Sequence, residues 1–164
     1  LAFVLNTTIA ENELVGDPEE GGGIYIGNNT EVELYSSIIA NNTAQGGVDN
    51  DCYGQFDVLD FSLVEVPAAG NDCIVAGDGE NNSSFLGADD PMLGALADNG
   101  GDLQTHALLE GSIATDAGSQ LVAGSGGSAC YATDARGQAR PARVYCDMGS
   151  FELPQYLFMP KLEK

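Results

Sequence analysis

Apolar and polar positions alternate in short bursts along the first third of the chain, and the bursts recur. Thr30–Tyr35 puts Val32 and Leu34 on one side and Glu31 and Glu33 on the other, the two-residue period of a half-buried strand. Ile24-Tyr25-Ile26 and Ser36–Ala40 read as further strands, and Ala2–Ala10 as one longer strand with threonines among its apolar positions. Leu5–Asn12 (LNTTIAEN) aligns with Tyr35–Asn42 (YSSIIANN) at an offset of 30 residues, so that Ile9 falls on Ile39, Ala10 on Ala40 and Asn12 on Asn42. A period of roughly 20 to 50 residues marks a stack of like units, none of which buries its apolar face alone. Gly21–Thr43 (GGGIYIGNNTEVELYSSIIANNT) therefore reads as one coil of a β-solenoid, and Asn12 and Asn42 are expected to stack as a ladder.

Turn chemistry punctuates the pattern. Gly16-Asp17-Pro18 centres an acidic loop over Glu11–Glu20, Gly21–Gly23 predicts a sharp backbone bend, and Gly27-Asn28-Asn29 predicts a corner. Asn41-Asn42 closes the coil, because asparagine tolerates the left-handed region. A third coil opens at Gly46-Gly47 and degenerates. Asp49-Asn50-Asp51-Cys52 replaces the Ile24–Ile26 strand, apolar alternation resumes over Phe56–Val66, and Asn71–Val75 returns to the wall with Cys73 near Cys52. Ala76–Ser84 reads as a loop, and from Phe85 the repeat gives way to turn-rich links and a Gly/Ser loop at Gly118–Ser128. The expected organisation is terminal coils over residues 1–75, a cap region over 76–153 and a tail over 154–164. So few coils do not make a free-standing solenoid, and the expectation is the C-terminal end of a longer chain.

Charge narrows the class of partner. Formal net charge is −20, and all five basic residues (Arg136, Arg140, Arg143, Lys161, Lys164) lie at the C-terminal end. Residues 1–135 carry no basic side chain, a surface that repels phosphate backbones and anionic lipid, so nucleic acid is excluded as a partner. The opening run Leu1–Leu5 is too short for a signal sequence or a membrane span. The four cysteines fit neither a zinc ribbon nor a CxxC redox pair, and their Gly/Asn-rich setting favours disulfides in an oxidising compartment. Of the three pairings open to Cys52, Cys73, Cys130 and Cys146, the sequential one closes two local loops and is expected, with free buried thiols as the alternative.

In the second half, Asp89–Ser119 (DDPMLGALADNGGDLQTHALLEGSIATDAGS), Cys130–Pro141 (CYATDARGQARP) and Cys146–Leu153 (CDMGSFEL) together resemble the "choice-of-anchor Q" C-terminal region of bacterial surface proteins. The upstream GGGIYIGNNTEVELYSSIIANNTA is similar to polymorphic-outer-membrane-protein-like repeats. Glu110 and Ile113 stand where that family often carries proline. The resemblance implies a right-handed parallel β-helix with an irregular cap, at the surface of a bacterial cell. It implies no reaction and carries over no catalytic residue.

Candidate chemistry is sparse. Lyase chemistry of the pectate type needs carboxylates that hold Ca²⁺ and an Arg or Lys base, and residues 1–75 contain no base. His106 beside Ala107-Leu108-Leu109 reads as a structural histidine. Asp134, Arg136, Arg140, Asp147 and Glu152 read as ion pairs within the cap, arginine being the cation suited to bidentate carboxylate pairing. Asp49, Asp51, Asp89 and Asp90 are candidate Ca²⁺ ligands, with Asp98 and Asp102 in similar turns, although none forms an EF-hand loop. Sequons occur at Asn6, Asn28, Asn41, Asn81 and Asn82. In the tail (LPQYLFMPKLEK), Tyr156–Met159 reads as a final strand or as a strand added to a neighbour. The expected function is a non-enzymatic structural or adhesive module of a secreted or cell-surface protein, its partners being upstream coils, neighbouring subunits or surface glycans. A filament subunit is a variant of it. The alternative is the end of a carbohydrate-active enzyme whose catalytic coils lie upstream.

Overall fold

A computed structural model describes residues 1–15, 21–44, 48–49, 51–65, 73–75, 84–87 and 90–155. Gly46-Gly47, Asn50, the loop over 76–83, Asp89 and the tail from Tyr156 lie outside the described residues. Among those described the chain is all-β and has no α-helix. Its strands are β1 (Ala2–Leu5), β2 (Thr8–Ala10), β3 (Ile24–Tyr25), β4 (Val32–Tyr35), β5 (Ile38–Ala40), β6 (Thr43–Ala44), β7 (Val48–Asp49), β8 (Cys52–Tyr53), β9 (Gln55–Phe56), β10 (Val58–Asp60), β11 (Leu63–Val64), β12 (Ile74–Val75) and β13 (Phe85–Leu86).

Pairing follows the repeat. One parallel sheet runs β1-β4-β10 and a second runs β2-β5-β11-β13, with β3-β8 and β9-β12 as parallel pairs and β6-β7 as an antiparallel one. Leu5 lies beside Tyr35 and Ile9 beside Ile39, as the alignment of the two segments requires. The spacing between successive passes then contracts. Thr7 and Ser37 are 30 residues apart, Ser37 and Ser62 are 25 apart, and Ser62 and Ser84 are 22 apart.

The segment expected to be one strand over Ala2–Ala10 is two, broken at Asn6. Asn6 has φ 47°, and the residues at the same place in the next passes, Ser36 and Phe61, have φ 45° and 49°. One left-handed residue swings the chain from the first sheet to the second each time. A second corner follows at Glu11 (φ 57°) and Asn41 (φ 58°). The Gly21–Gly23 bend has another cause, since none of the three has positive φ. A Cβ on Gly23 would lie 2.5 Å from the Asp51 carbonyl oxygen and 2.7 Å from Asn42 Nδ2, so glycine here serves close approach.

Two apolar layers share the central sheet. Leu34, Ile39, Leu59 and Val64 are fully buried between the sheets together with Phe56. On the opposite face of the second sheet, Ile38, Ala40 and Leu63 pack against Leu108, Ala114, Met148, Phe151 and Leu153 of the C-terminal region. β5 is therefore apolar at all three positions because both its faces are covered, the usual state of a parallel sheet.

Among the described residues from 90 to 155 the chain is irregular, its strand pairing limited to isolated antiparallel bridges such as Leu93–Leu108 and Ala97–Thr105. This region is fastened to the first corner by polar contacts. Ser119 N–H donates to Ser36 Oγ at 3.0 Å, Gly149 N–H to the Ser36 carbonyl at 2.8 Å, and Tyr131 N–H to Asn6 Oδ1 at 2.9 Å. Cys52–Cys73 and Cys130–Cys146 are disulfide-bonded, with Cα atoms 5.6 and 6.5 Å apart. No helix among the described residues is long and apolar enough to cross a membrane.

Candidate functional site

The densest concentration of buried charge is the cap cluster, and the backbone around it explains its geometry. Asp134 Oδ1 accepts the N–H groups of Arg136 (2.8 Å) and Gln138 (3.0 Å), closing a turn on itself. Its Oδ2 accepts Arg136 Nε at 2.9 Å, Arg136 Nη2 at 2.6 Å and the Glu152 N–H at 3.0 Å. Arg136 also donates to the Glu152 carbonyl at 2.6 Å and lies 3.6 Å above the centre of the Phe151 ring. Arg140 donates to the carbonyls of Asp147 (2.8 Å) and Gly149 (2.7 Å) and to Glu152 Oε2 (3.2 Å). Glu152 accepts two further N–H groups, from Ala142 and Asp147, and Asp147 accepts those of Asp116 and Leu153.

All five residues named from the sequence thus come together, and each is committed to the backbone of a neighbouring loop. Electrostatics follow from that burial. Burial pushes the Asp147 carboxyl up, with the nearby Asp116 charge adding to it, and burial together with Asp147 pushes Glu152 up. Burial also lowers Arg140, against the pull of Glu152, Asp134 and Asp147. Asp134 differs. Burial pushes it up, but the Glu152 N–H, the Arg136 side chain and the N–H groups of Gln138 and Arg136 outweigh this and hold it below its ordinary value. The cluster offers no unengaged carboxylate pair for acid–base work. What it does chemically is satisfy loop ends that have no sheet to pair with.

Asp51 and Asp90, two of the calcium candidates, lie in different settings. Asp51 is buried and accepts the backbone and side-chain N–H groups of Asn42 at 2.9 and 2.8 Å. Asp90 is exposed and accepts the Met92 N–H at 2.7 Å, Asp49 lies in β7, and Asp89 is outside the described residues. Among the described residues no group of three or more His, Cys, Asp or Glu side chains is placed to hold a metal ion. His106 is buried, with Nδ1 2.9 Å from the Gly94 carbonyl oxygen.

Two constellations escaped the reading of the sequence. One is a hydroxyl ladder in which Thr7, Ser37 and Ser62 each donate a backbone N–H to the next hydroxyl down the stack, at Ser37, Ser62 and Ser84. Thr7, Ser37 and Ser62 each donate their hydroxyl to a carbonyl two residues back, as Ser37 does to Tyr35 at 2.8 Å, while Ser84 donates across to the Leu59 carbonyl of the preceding pass at 2.8 Å. The other extends the asparagine ladder. Asn12 donates to Asn42 Oδ1 at 2.8 Å, and Asn42 donates onward to Asp51. The signal for the first was present, a Thr or Ser two residues beyond each β1, β4 or β10 strand, but the shrinking spacing hid it. No family model matches the chain, and neither do any curated protein sequences or solved structures.

Proposed function

We propose that this chain is a non-enzymatic structural and adhesive module, the terminal coils and cap of a right-handed parallel β-helix exposed at a bacterial cell surface. One observation carries the reading: the stack continues from pass to pass through side-chain ladders, while every ionisable group of the cap cluster is consumed in closing loops. A catalytic site keeps groups in reserve, and a cap uses them up. The resemblance of Asp89–Leu153 to a choice-of-anchor Q region supports the surface location, and the two disulfides favour an oxidising compartment. The parallel passes support the β-helix.

The test is a polysaccharide screen run beside a cell-retention assay. The purified chain, coated on beads, is expected to hold to bacterial or host cell surfaces and to leave polysaccharides intact. Release of unsaturated or reducing ends at a rate that survives repurification would overturn the reading in favour of an enzyme.

A further inference from the structure

Away from the cap, the turn between β3 and β4 and the Gly54 corner between β8 and β9 enclose a cleft of about 370 Å³. That lies within the roughly 300–1,000 Å³ typical of small-ligand sites. Thr30 N–H donates to the Gly27 carbonyl at 3.3 Å, closing a turn that presents Asn28 and Asn29, the latter at φ 61°. Gln55 and Asp57 line the same cleft, and Tyr53 supplies an aromatic wall. Tyr53 stacks on Tyr25 with ring centres 5.2 Å apart and planes 11° from parallel, and Tyr25 is 54% exposed. Among the described residues, the side-chain amides of Asn28, Asn29 and Gln55 have no hydrogen-bond partner, and Asp57 uses Oδ2 alone, on the Val32 N–H at 2.7 Å.

The chemistry of these groups selects a class of ligand. An amide both donates and accepts, a carboxylate oxygen accepts, and a phenol does both, so the set complements a run of vicinal hydroxyls. The aromatic wall suits the C–H face of a sugar ring. Phosphate, sulfate or uronate finds no cation here, because residues 1–135 contain no Lys or Arg. A hard cation finds only one carboxylate, Asp57, where several charged oxygens are wanted. We propose that this cleft binds a neutral oligosaccharide, with Asn28, Asn29, Gln55 and Asp57 as the hydrogen-bonding set and Tyr53 as the stacking face. This deepens the adhesive reading by naming its ligand.

The experiment titrates the full chain with neutral gluco-, galacto- and manno-oligosaccharides, an oligouronate and Ca²⁺ alone, following the Asn28, Asn29 and Gln55 side-chain amides by NMR. At least one neutral oligosaccharide is expected to shift all three, and the oligouronate to bind about tenfold more weakly. The Asn28→Ala/Gln55→Ala double variant alters only exposed side chains without internal partners, so it should melt like the parent and bind about tenfold more weakly. Tyr53→Phe should keep most of the affinity and Tyr53→Leu lose it. The proposal is overturned if no neutral sugar moves these amides, if the double variant binds unchanged, or if the oligouronate or Ca²⁺ is the tighter ligand. Retention on cells without any sugar response at these residues removes the cleft and leaves the structural module standing.

Discussion

Glu152 is where the cap is most exposed to a single substitution. Its carboxylate meets Arg140 in a pair whose side chains are 2% and 0% accessible, and it also accepts N–H groups from Ala142 and Asp147. A buried pair of this kind contributes little beyond an apolar substitute of the same shape, but removing one partner strands the other. Glu152→Ala should therefore cost about 3–5 kcal/mol in chemical denaturation. The carboxylates also predict how stability varies with pH. Asp134, held below its ordinary value of 3.8, contributes stability present above that value and lost as pH falls through the lower folded one. Asp147 and Glu152 are raised, so their contribution is present below their ordinary values of 3.8 and 4.5 and is lost as pH rises through the folded ones. Melting temperature should pass through a maximum near the ordinary carboxylate values of 3.8 to 4.5, and Asp134→Asn should flatten the limb below it while sparing the limb above. An acid limb unchanged in that variant would show that other carboxylates set it.

Among the elements, the passage from β5 to β8 shows how side chains set the height of each step. Asn42 donates to the carbonyls of Ile9 (2.9 Å) and Ala40 (3.0 Å) and to Asp51 (2.8 Å), while its Oδ1 accepts from Asn12. Replacing that amide with a carboxylate removes the one NH₂ group that makes all three of these contacts and sets one negative charge against another. Asn42→Asp is predicted to destabilise by about 3 kcal/mol or more at neutral pH and to recover part of it in acid, where the two carboxylates come to share a proton. Asn42→Ala should show no such recovery, and urea melts at neutral and acid pH separate the two. The Asn12–Asn42 step was legible because Leu5–Asn12 and Tyr35–Asn42 share one fixed offset. Asp51 was not, because it lies nine residues beyond Asn42, at no repeat offset, and arrives there through the close approach at Gly23. Nor was the break at Asn6. Its counterparts, Ser36 and Phe61, share a backbone conformation and no common chemistry, and nothing in a phenylalanine announces a left-handed corner.

At the scale of the whole molecule, the coil neighbours that could be read in advance are those at the 30-residue offset, such as Ile9–Ile39 and Asn12–Asn42, while offsets of 25 and 22 hid Ser62 and Ser84. The five cap ions were legible as a cluster because the only arginines fall among acids there, whereas their loop-closing bonds depend on a chain path with no periodicity to betray it. The hold of the C-terminal region on the second parallel sheet joins the two apolar layers. Ile38, Ala40 and Leu63 lie under Met148, Phe151 and Leu153, and a Cβ on Gly149 would come 2.5 Å from Thr8 Oγ1 and 2.9 Å from Ile38 Cδ1. Gly149 also has φ 84°, so neither the space nor the backbone admits a side chain. Gly149→Val should therefore lift the cap from the central sheet without touching either disulfide. Because the two layers share a sheet, the loss should appear as one cooperative transition displaced by about 3 kcal/mol, and not as early melting of the cap alone. Exposure of Ile38 and Leu63 should then show as dye binding and aggregation within that same transition. Two separated transitions in the parent chain would mean that coils and cap fold as independent units, and that the shared sheet couples them less than its packing implies.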